Sequence, residues 1–381
     1  MNKKLIAVAV AGLFAAPAVA LAQSSVTISG LLKGGYETQK YSNYTRAGNS
    51  SQNGVVDDSS RIIFNVTEDL GGGMAAIGQL DMRIKPDDLQ GAAATNPSNV
   101  VSGNSFFGLR STQWGTISLG RRDLHYFNRE SNLTDKASLR ADSISLLAYA
   151  GGGGQAIAGA TRTQNVVHYL SPNWSGFTFI LAYSSNASAT DGDIGSTTSR
   201  GSAWNFNPNY QAANWQVGYS YWENKPDAAG GTFATGKQRA DRLYGSYVFP
   251  FGLKLGLAWD KSKIKAVNVP VTGDISRRDV WSIPVSYTWG NHSVHFHYDQ
   301  AGDDKAIADT AAGNQKAKMW AIAYAYDLSK RTSAALTYAQ IKNNGLATYN
   351  FFTAGTLGLG GPGVAAGEDP KMWGVTLRHA F

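Results

Sequence analysis

Trp320-Ala321-Ile322-Ala323-Tyr324-Ala325-Tyr326-Asp327 alternates a large apolar or aromatic residue with a small or polar one, then enters the polar stretch Leu328-Ser329-Lys330-Arg331. A period of two puts Trp320, Ile322, Tyr324 and Tyr326 on one face of an extended chain, and Ala321, Ala323, Ala325 and Asp327 on the other. The same pattern recurs outward in both directions. Val26, Ile28, Leu32 and Tyr36 oppose Thr27, Ser29, Lys33 and Glu37. Ile62, Phe64 and Val66 oppose Arg61, Asn65 and Thr67. Trp215, Val217, Tyr219 and Tyr221 oppose Gln216, Gly218 and Ser220. Leu253, Leu255, Leu257 and Trp259 face away from Lys254, Gly256 and Asp260, and Val294, Phe296 and Tyr298 face away from Ser293, His295 and His297. Helical spacing fits none of these segments well.

The connections also alternate. Short turns are predicted at Asp69–Gly73, Thr112–Gly115, Ser171–Gly176, Gln211–Trp215, Phe249–Gly252, Thr288–His292 and Asp327–Arg331. Longer polar, Gly-rich segments are predicted near Ser42–Asp57, Lys85–Gly103, Asp123–Thr161, Ser185–Arg200, Glu223–Lys237, Ser262–Ser276, Ala301–Gln315 and Lys342–Pro370. Fifteen connections imply about sixteen strands of roughly 10 residues, the length that crosses a bilayer when tilted. A soluble β-sandwich would alternate as well. Against it stand long strands whose polar faces carry small or charged groups. Aromatics also gather near strand ends (Tyr219, Tyr221, Trp222, Trp259, Trp289, Tyr326 and Trp373), as in the girdles of a membrane barrel. The predicted fold is therefore all-β: a 16-stranded antiparallel transmembrane β-barrel with short periplasmic turns and long extracellular loops. An open sheet edge in hydrocarbon would leave backbone groups unpaired at several kcal/mol each, so Lys371–Phe381 must pair with Ser24–Gln39 to close the ring.

The beginning of the chain predicts export. Lys3 and Lys4 precede the apolar run Leu5–Ala16, Pro17 breaks it, and Ala20-Leu21-Ala22 is a small-x-small cleavage site. Residues 1–22 are expected to be a cleaved signal peptide and 23–381 the barrel. The apolar run is too short for a spanning helix, which needs roughly 20 residues, and no later segment supplies one. Charged residues are only 16% of the chain and cysteine is absent, so no disulfide framework or cysteine-based metal site is available.

The motifs resemble the Gram-negative general porins of the neisserial and betaproteobacterial type. Val26–Tyr36 looks like their opening strand. Ser60-Arg61 with Glu68-Asp69-Leu70-Gly71-Gly72-Gly73 is similar to their second strand and first periplasmic turn. Phe107-Gly108-Leu109-Arg110 and Trp114-Gly115-Thr116-Ile117-Ser118-Leu119-Gly120-Arg121 resemble the fourth and fifth strands. Tyr326-Asp327-Leu328-Ser329-Lys330-Arg331-Thr332-Ser333 resembles the fourteenth-to-fifteenth turn, and Val375–Phe381 the closing strand. The resemblance implies an outer-membrane homotrimer that passes small anions and hydrophilic solutes by passive diffusion, in contact with outer-membrane lipid and lipopolysaccharide. It also implies that the third long loop, 123–161, folds inward to form the constriction. The Pro-Glu-Phe-Gly-Gly motif of the enterobacterial third loop is absent, and Gly151–Gly154 stands in a loop of different character.

A diffusion pore needs a hydrated interior and charge rings rather than a reactive centre. Parity places Lys33, Arg61, Arg83, Arg110, Arg122 and Arg162 on the non-lipid face. The resemblance implies a basic cluster facing the third loop, which Arg61 matches best and Arg162 could join. Arg121 is carried over from the Leu-Gly-Arg motif, although simple alternation points it outward unless a bulge intervenes. Glu130, Asp135 and Asp142 are the candidate opposing acids on the third loop. The plain alternative for any one arginine is a solvated rim position. Together, however, mid-bilayer arginines facing lipid would cost about 2–4 kcal/mol each. The expectation is an anion preference.

Other motifs carry less. His295-x-His297 could hold a metal but is a single short pair, and Gly358-x-Gly360-x-x-Gly363 lies in a Pro-containing loop with no following helix. No catalytic motif or clustered nucleic-acid patch is found, so neither an enzyme, a cofactor nor a nucleic-acid partner is expected. A substrate-specific channel with an aromatic track of Tyr126, Phe127 and Tyr149 remains the alternative within the same fold.

Overall fold

The computed structural model describes residues 24–86, 101–128, 136–147, 157, 159–185, 187, 201–225, 235–266, 274–306, 314–352 and 363–381. The proposed signal peptide, Glu130, Asp135, Tyr149, Gly151–Gly154, Gly358 and Gly360 lie outside them. Among the described residues no helix is long and apolar enough to cross a membrane.

The strands are β1 (Ser25–Ser42), β2 (Ser51–Asp57), β3 (Arg61–Gly71), β4 (Met74–Arg83), β5 (Ser105–Ser111), β6 (Gly115–Arg122), β7 (Thr163–Leu170), β8 (Phe177–Ser184) and β9 (Ser202–Gln211). They continue with β10 (Trp215–Lys225), β11 (Thr235–Val248), β12 (Leu253–Ala266), β13 (Asp274–Trp289), β14 (His292–Ala301), β15 (Ala317–Asp327), β16 (Thr332–Asn343) and β17 (Asp369–Ala380). Each pairs antiparallel with its neighbours in a single sheet. Segments β2 and β3 both pair with β1, Asp57 opposite Gly34 and Arg61 opposite Leu31. One extra residue therefore bulges between them, and the two segments make one crossing of a sixteen-stranded barrel. At the bulge Ser59 has φ +78°, and the Ser60 hydroxyl donates to the Lys33 carbonyl and accepts from its N–H, both at 3.0 Å. A side chain thus replaces the lost ladder bonds.

The ring closes where β17 pairs with β1, from Leu31 opposite Ala380 to Ser42 opposite Asp369. Phe381 extends the seam: its N–H donates to the Gly30 carbonyl at 3.2 Å and its carbonyl accepts from the Gly30 N–H at 2.9 Å. No backbone edge is then offered to hydrocarbon.

The outer wall is apolar. Ile28, Leu80, Phe107, Leu243, Leu257, Ile322, Leu336, Val375 and Leu377 are all exposed. The inner faces carry Glu37, Asp81, His168, Asn205, Ser220, Arg242, Asp260, His297 and Thr337, which are buried. This inversion of the soluble pattern is what a lipid-facing barrel requires. Trp222 corrects the girdle expectation. Its even parity on β10 turns it inward, where it is fully buried beside Leu124, Tyr126 and Phe352.

The seven short turns fall where the alternation breaks. At the first, Gly71, Gly72 and Gly73 have φ of +78°, +59° and +77°, a run that L side chains adopt only under strain. Three predicted loops were too long. Ser51–Asp57 is strand rather than part of the Ser42–Asp57 loop. β10 and β11 reach into Glu223–Lys237, and β12 and β13 reach into Ser262–Ser276. In each case the residues are polar but still pair. At that end the strands rise above the hydrocarbon layer, so the outward positions no longer need apolar side chains.

Candidate functional site: the lumen and its inward loops

The third loop leaves β6 at Asp123 and returns to β7 at Arg162. The Asp123 carboxylate ties its two ends, accepting from the Thr161 hydroxyl at 3.0 Å, the Arg162 N–H at 2.9 Å and the Asn104 amide at 2.9 Å. Between these ends the described part of the loop lies against the inner wall. His125 is fully buried between Ser220 on β10, at 2.8 Å, and Asp260 on β12, at 3.3 Å. Arg242 on β11 donates to the His125 carbonyl at 2.8 Å and to Asp260 at 3.0 Å.

The loop then crosses to β1, β14 and β16. Arg140 donates to Glu37 at 3.0 Å and to Gln39 at 2.9 Å, and Ser138 donates to Glu37 at 2.7 Å. The Leu139 N–H reaches Asp58 at 3.2 Å, and the Ala141 carbonyl meets His297 at 2.7 Å. A 3-10 turn (Leu139–Ala141) and the helical turn α1 (Ile144–Leu147) follow. Leu146 and Leu147 pack among Ala317, Met319, Ala321, Ala323 and Ala339. The alanine face of β15 is therefore the space that the loop occupies. Burying each of these leucines contributes about 1.5–3 kcal/mol.

A second inward loop went unread in the sequence. Residues 344–352 send Tyr349, Phe351 and Phe352 into the barrel, all nearly fully buried. The Phe352 N–H donates to Ser145 of the third loop at 2.8 Å, and Arg278 on β13 donates to the Tyr349 hydroxyl at 3.1 Å. The available signal was Tyr349-Asn350-Phe351-Phe352, an aromatic run inside a polar segment with no strand period.

The two halves of the wall therefore differ. Arg242 and Arg278, on the β11–β13 side, are buried beneath the loops. Arg61, Arg83, Arg121, Arg122 and Arg162, on the β3–β7 side, stay partly exposed. Arg61 stands directly opposite Arg83 in the β3–β4 ladder. Arg83 reaches Asp81 at 2.9 Å, and the Arg121 Nε donates to the Arg162 carbonyl at 3.0 Å. Arg122 lies 3.7 Å from the Phe106 ring centre. The β6–β7 register shifts between Gly120 and Arg122, where Gly120 has φ +144°. That is where alternation alone misplaces Arg121.

Other candidate residues are committed elsewhere. Lys33 is buried and paired with Asp58 at 2.7 Å. The Asp142 carboxylate is 2% exposed and accepts from the Ile144 N–H at 2.9 Å, so it caps α1 and is enclosed by protein. Arg110 is exposed at the turn end of β5. Tyr126 is buried and its hydroxyl donates to the Ile157 carbonyl, which leaves it no surface for a solute track. His297 is held by Asp299 at 2.5 Å and by the third loop. Among the described residues no group of His, Cys, Asp and Glu is placed to hold a metal.

The sequence profile of the Gram-negative porin family matches residues 7–346. The chain belongs to the Gram-negative porin family. Over 397 residues it is 30% identical to the outer membrane porin protein 32 of Delftia acidovorans, covering the full length of both chains. It is 28% identical to an outer membrane porin protein of Bordetella pertussis, covering 90% of this chain and 95% of that one. Among solved structures it is similar to the anion-selective porin from Comamonas acidovorans, with TM-score 0.74, 26% identity, and 94% and 100% of the two chains covered. The trimer form of OmpT from Vibrio cholerae shares the fold, with TM-score 0.64 at 11% identity and 94% and 99% of the two chains covered. The protein is thus an outer-membrane porin, a channel and not an enzyme.

The third-loop anchor of this porin carries a pH prediction. Burial first, and then the Arg242 charge, hold the His125 imidazole down at about 4 from an ordinary 6.5, against the pull of Asp260 and Asp241. A depressed histidine contributes its stabilisation fully above pH 6.5 and loses it as the pH falls through about 4. Single-channel current noise should therefore rise between these limits. The H125Q variant should show noise that no longer depends on pH in that window. A wild-type trace unchanged down to pH 4 contradicts this assignment.

Proposed function

We propose that this porin is a homotrimeric diffusion channel, cleaved after residue 22, whose passage favours small anions over cations and also admits small hydrophilic solutes. The third loop, 123–161, is its constriction, and its outer wall contacts outer-membrane lipid and lipopolysaccharide. One observation carries the anion preference. Among the described residues, apart from Arg378 near the chain end, the inward wall arginines left partly exposed lie on the β3–β7 side, while those opposite are buried beneath the loops. Charges on a low-dielectric wall focus field across a narrow aqueous path and raise the local concentration of the opposite ion. Arginine suits the task because its charge persists at any physiological pH. The similarity to an anion-selective porin supports the same reading, and the trimeric neighbour supports the assembly.

Ion replacement tests it. Exchanging chloride for a bulky organic anion at fixed potassium should reduce conductance more than exchanging potassium for lithium at fixed chloride. The reverse order rejects the anion preference. A single closing step, where three equal ones are expected at high voltage, rejects the trimer.

A further inference from the structure

The outer wall carries a charged feature that the pore does not use. Lys237 and Arg239 on β11, Lys261, Lys263 and Lys265 on β12, and Arg277 on β13, with the Asp241 carboxylate in the larger, line two cavities of ≈ 220 and ≈ 350 Å³. Their parity is that of Leu243, Leu257 and Trp281, whose side chains are exposed on the lipid side. The ladders set Arg239 directly opposite Lys263, and Lys263 directly opposite Arg277. Like charges directly opposite destabilise a sheet, so three in one row favour an anion beside them.

The acids nearby do not remove the excess. Asp241 binds Arg239 at 2.8 Å, Asp274 binds Lys263 at 3.0 Å and Glu223 binds Lys237 at 2.6 Å. Asp279 is engaged by Lys305. Among the described residues, Lys261, Lys265 and Arg277 are in none of the ion pairs, and the Arg277 Nε is buried with no hydrogen-bond partner. The next row down on this face is Asp241, Lys261 and Asp279, and below it Trp259 and Trp281 stack with ring centres 5.7 Å apart. Indole rings mark the level where hydrocarbon meets headgroups. The row lies on the long-loop side of them, at the headgroup depth of the outer leaflet.

We propose that Arg239, Lys263 and Arg277 form a binding site for a phosphorylated glycolipid headgroup, a lipopolysaccharide phosphate seated between β11 and β13. The inference rests on the outer-membrane lipid contact proposed above and assigns it to a place. Clusters of Lys and Arg beside a membrane surface recognise anionic headgroups in this way.

Native mass spectrometry of the detergent-solubilised barrel would test it, with hexa-acylated lipid A, its dephosphorylated form and inorganic phosphate as probes. Wild type should retain lipid A at least about tenfold more strongly than the K263Q/R277Q variant, and should not retain the dephosphorylated lipid. Equal retention by wild type and variant overturns the site. Competition by inorganic phosphate at matched phosphate concentration overturns the lipid assignment in favour of a free anion. Loss of trimers from the variant, with lipid retained, assigns the row to a subunit contact. Bilayer conductance of the same preparations separates the two readings. A conducting protein that ignores lipid A refutes the site alone, whereas a non-conducting one refutes the porin reading. The K318Q variant, at an exposed outward position of β15 away from the site, checks that folding survives charge removal on the outer wall.

Discussion

Replacing Arg61 and Arg162 together by glutamine is expected to lower the anion-to-cation permeability ratio on the order of threefold to tenfold at about 0.1 M salt. The estimate starts from Coulomb's law. A unit charge about 8 Å from the path in an aqueous lumen is worth about 0.5 kcal/mol, and two are worth about 1 kcal/mol. That energy acts with opposite sign on anion and cation, so it enters the ratio twice. Screening within a Debye length of about 10 Å trims it, and at about 1 M salt, where the length is about 3 Å, most of the difference should vanish. R331Q, in the exposed β15–β16 turn, is the control and should leave the ratio nearly unchanged. A double variant with an unaltered ratio at low salt removes these two residues from the selectivity wall.

The second large effect concerns the seam. A Cβ placed on Gly35 would lie 1.9 Å from the Val375 carbonyl oxygen of β17, too close for any side chain. The obstruction is backbone, so no rotamer relieves it. G35V should therefore break the β1–β17 pairing and leave a row of N–H and C=O groups facing hydrocarbon at several kcal/mol each. Such a chain should fail to form the compact, heat-modifiable species seen on unheated gels, with a loss of folded barrel of more than about tenfold. Gly363 has open space around it, so G363A should fold as wild type does. Normal assembly of G35V would mean that β1 and β17 do not meet in this register.

The barrel was legible because lipid demands a strict outer face. Ile322, Tyr324 and Tyr326 must face out, and the short turns had to fall where that alternation stops. The same demand ends above the hydrocarbon layer, so the alternation of Lys261, Lys263 and Lys265 has no apolar contrast and this end of β12 reads as loop. Ser51–Asp57 was lost for a related reason. Its composition is that of a loop, and only pairing with β1 makes it a strand, a tertiary effect that local propensity does not contain.

The inner face was only half legible. Parity identifies which arginines point inward, but not which of them the loops cover. Arg140, Arg242 and Arg278 are anchors because Glu37, His125 and Tyr349 meet them, and those contacts join residues far apart in sequence. Asp142 shows the converse. It has the right charge on the right loop, yet its carboxylate is spent on the start of α1. Arg121 needed one further fact, the bulge at Gly120, whose positive φ leaves no other trace in the sequence than a glycine.

The zero-current potential across an about tenfold potassium chloride gradient, measured with purified mature protein in a planar lipid bilayer, tests the anion-favouring lumen most directly. The arginine wall predicts a potential displaced from zero toward the chloride equilibrium value, and a displacement that shrinks as both salt concentrations are raised. A potential at zero or on the potassium side, from a protein that conducts, would contradict it.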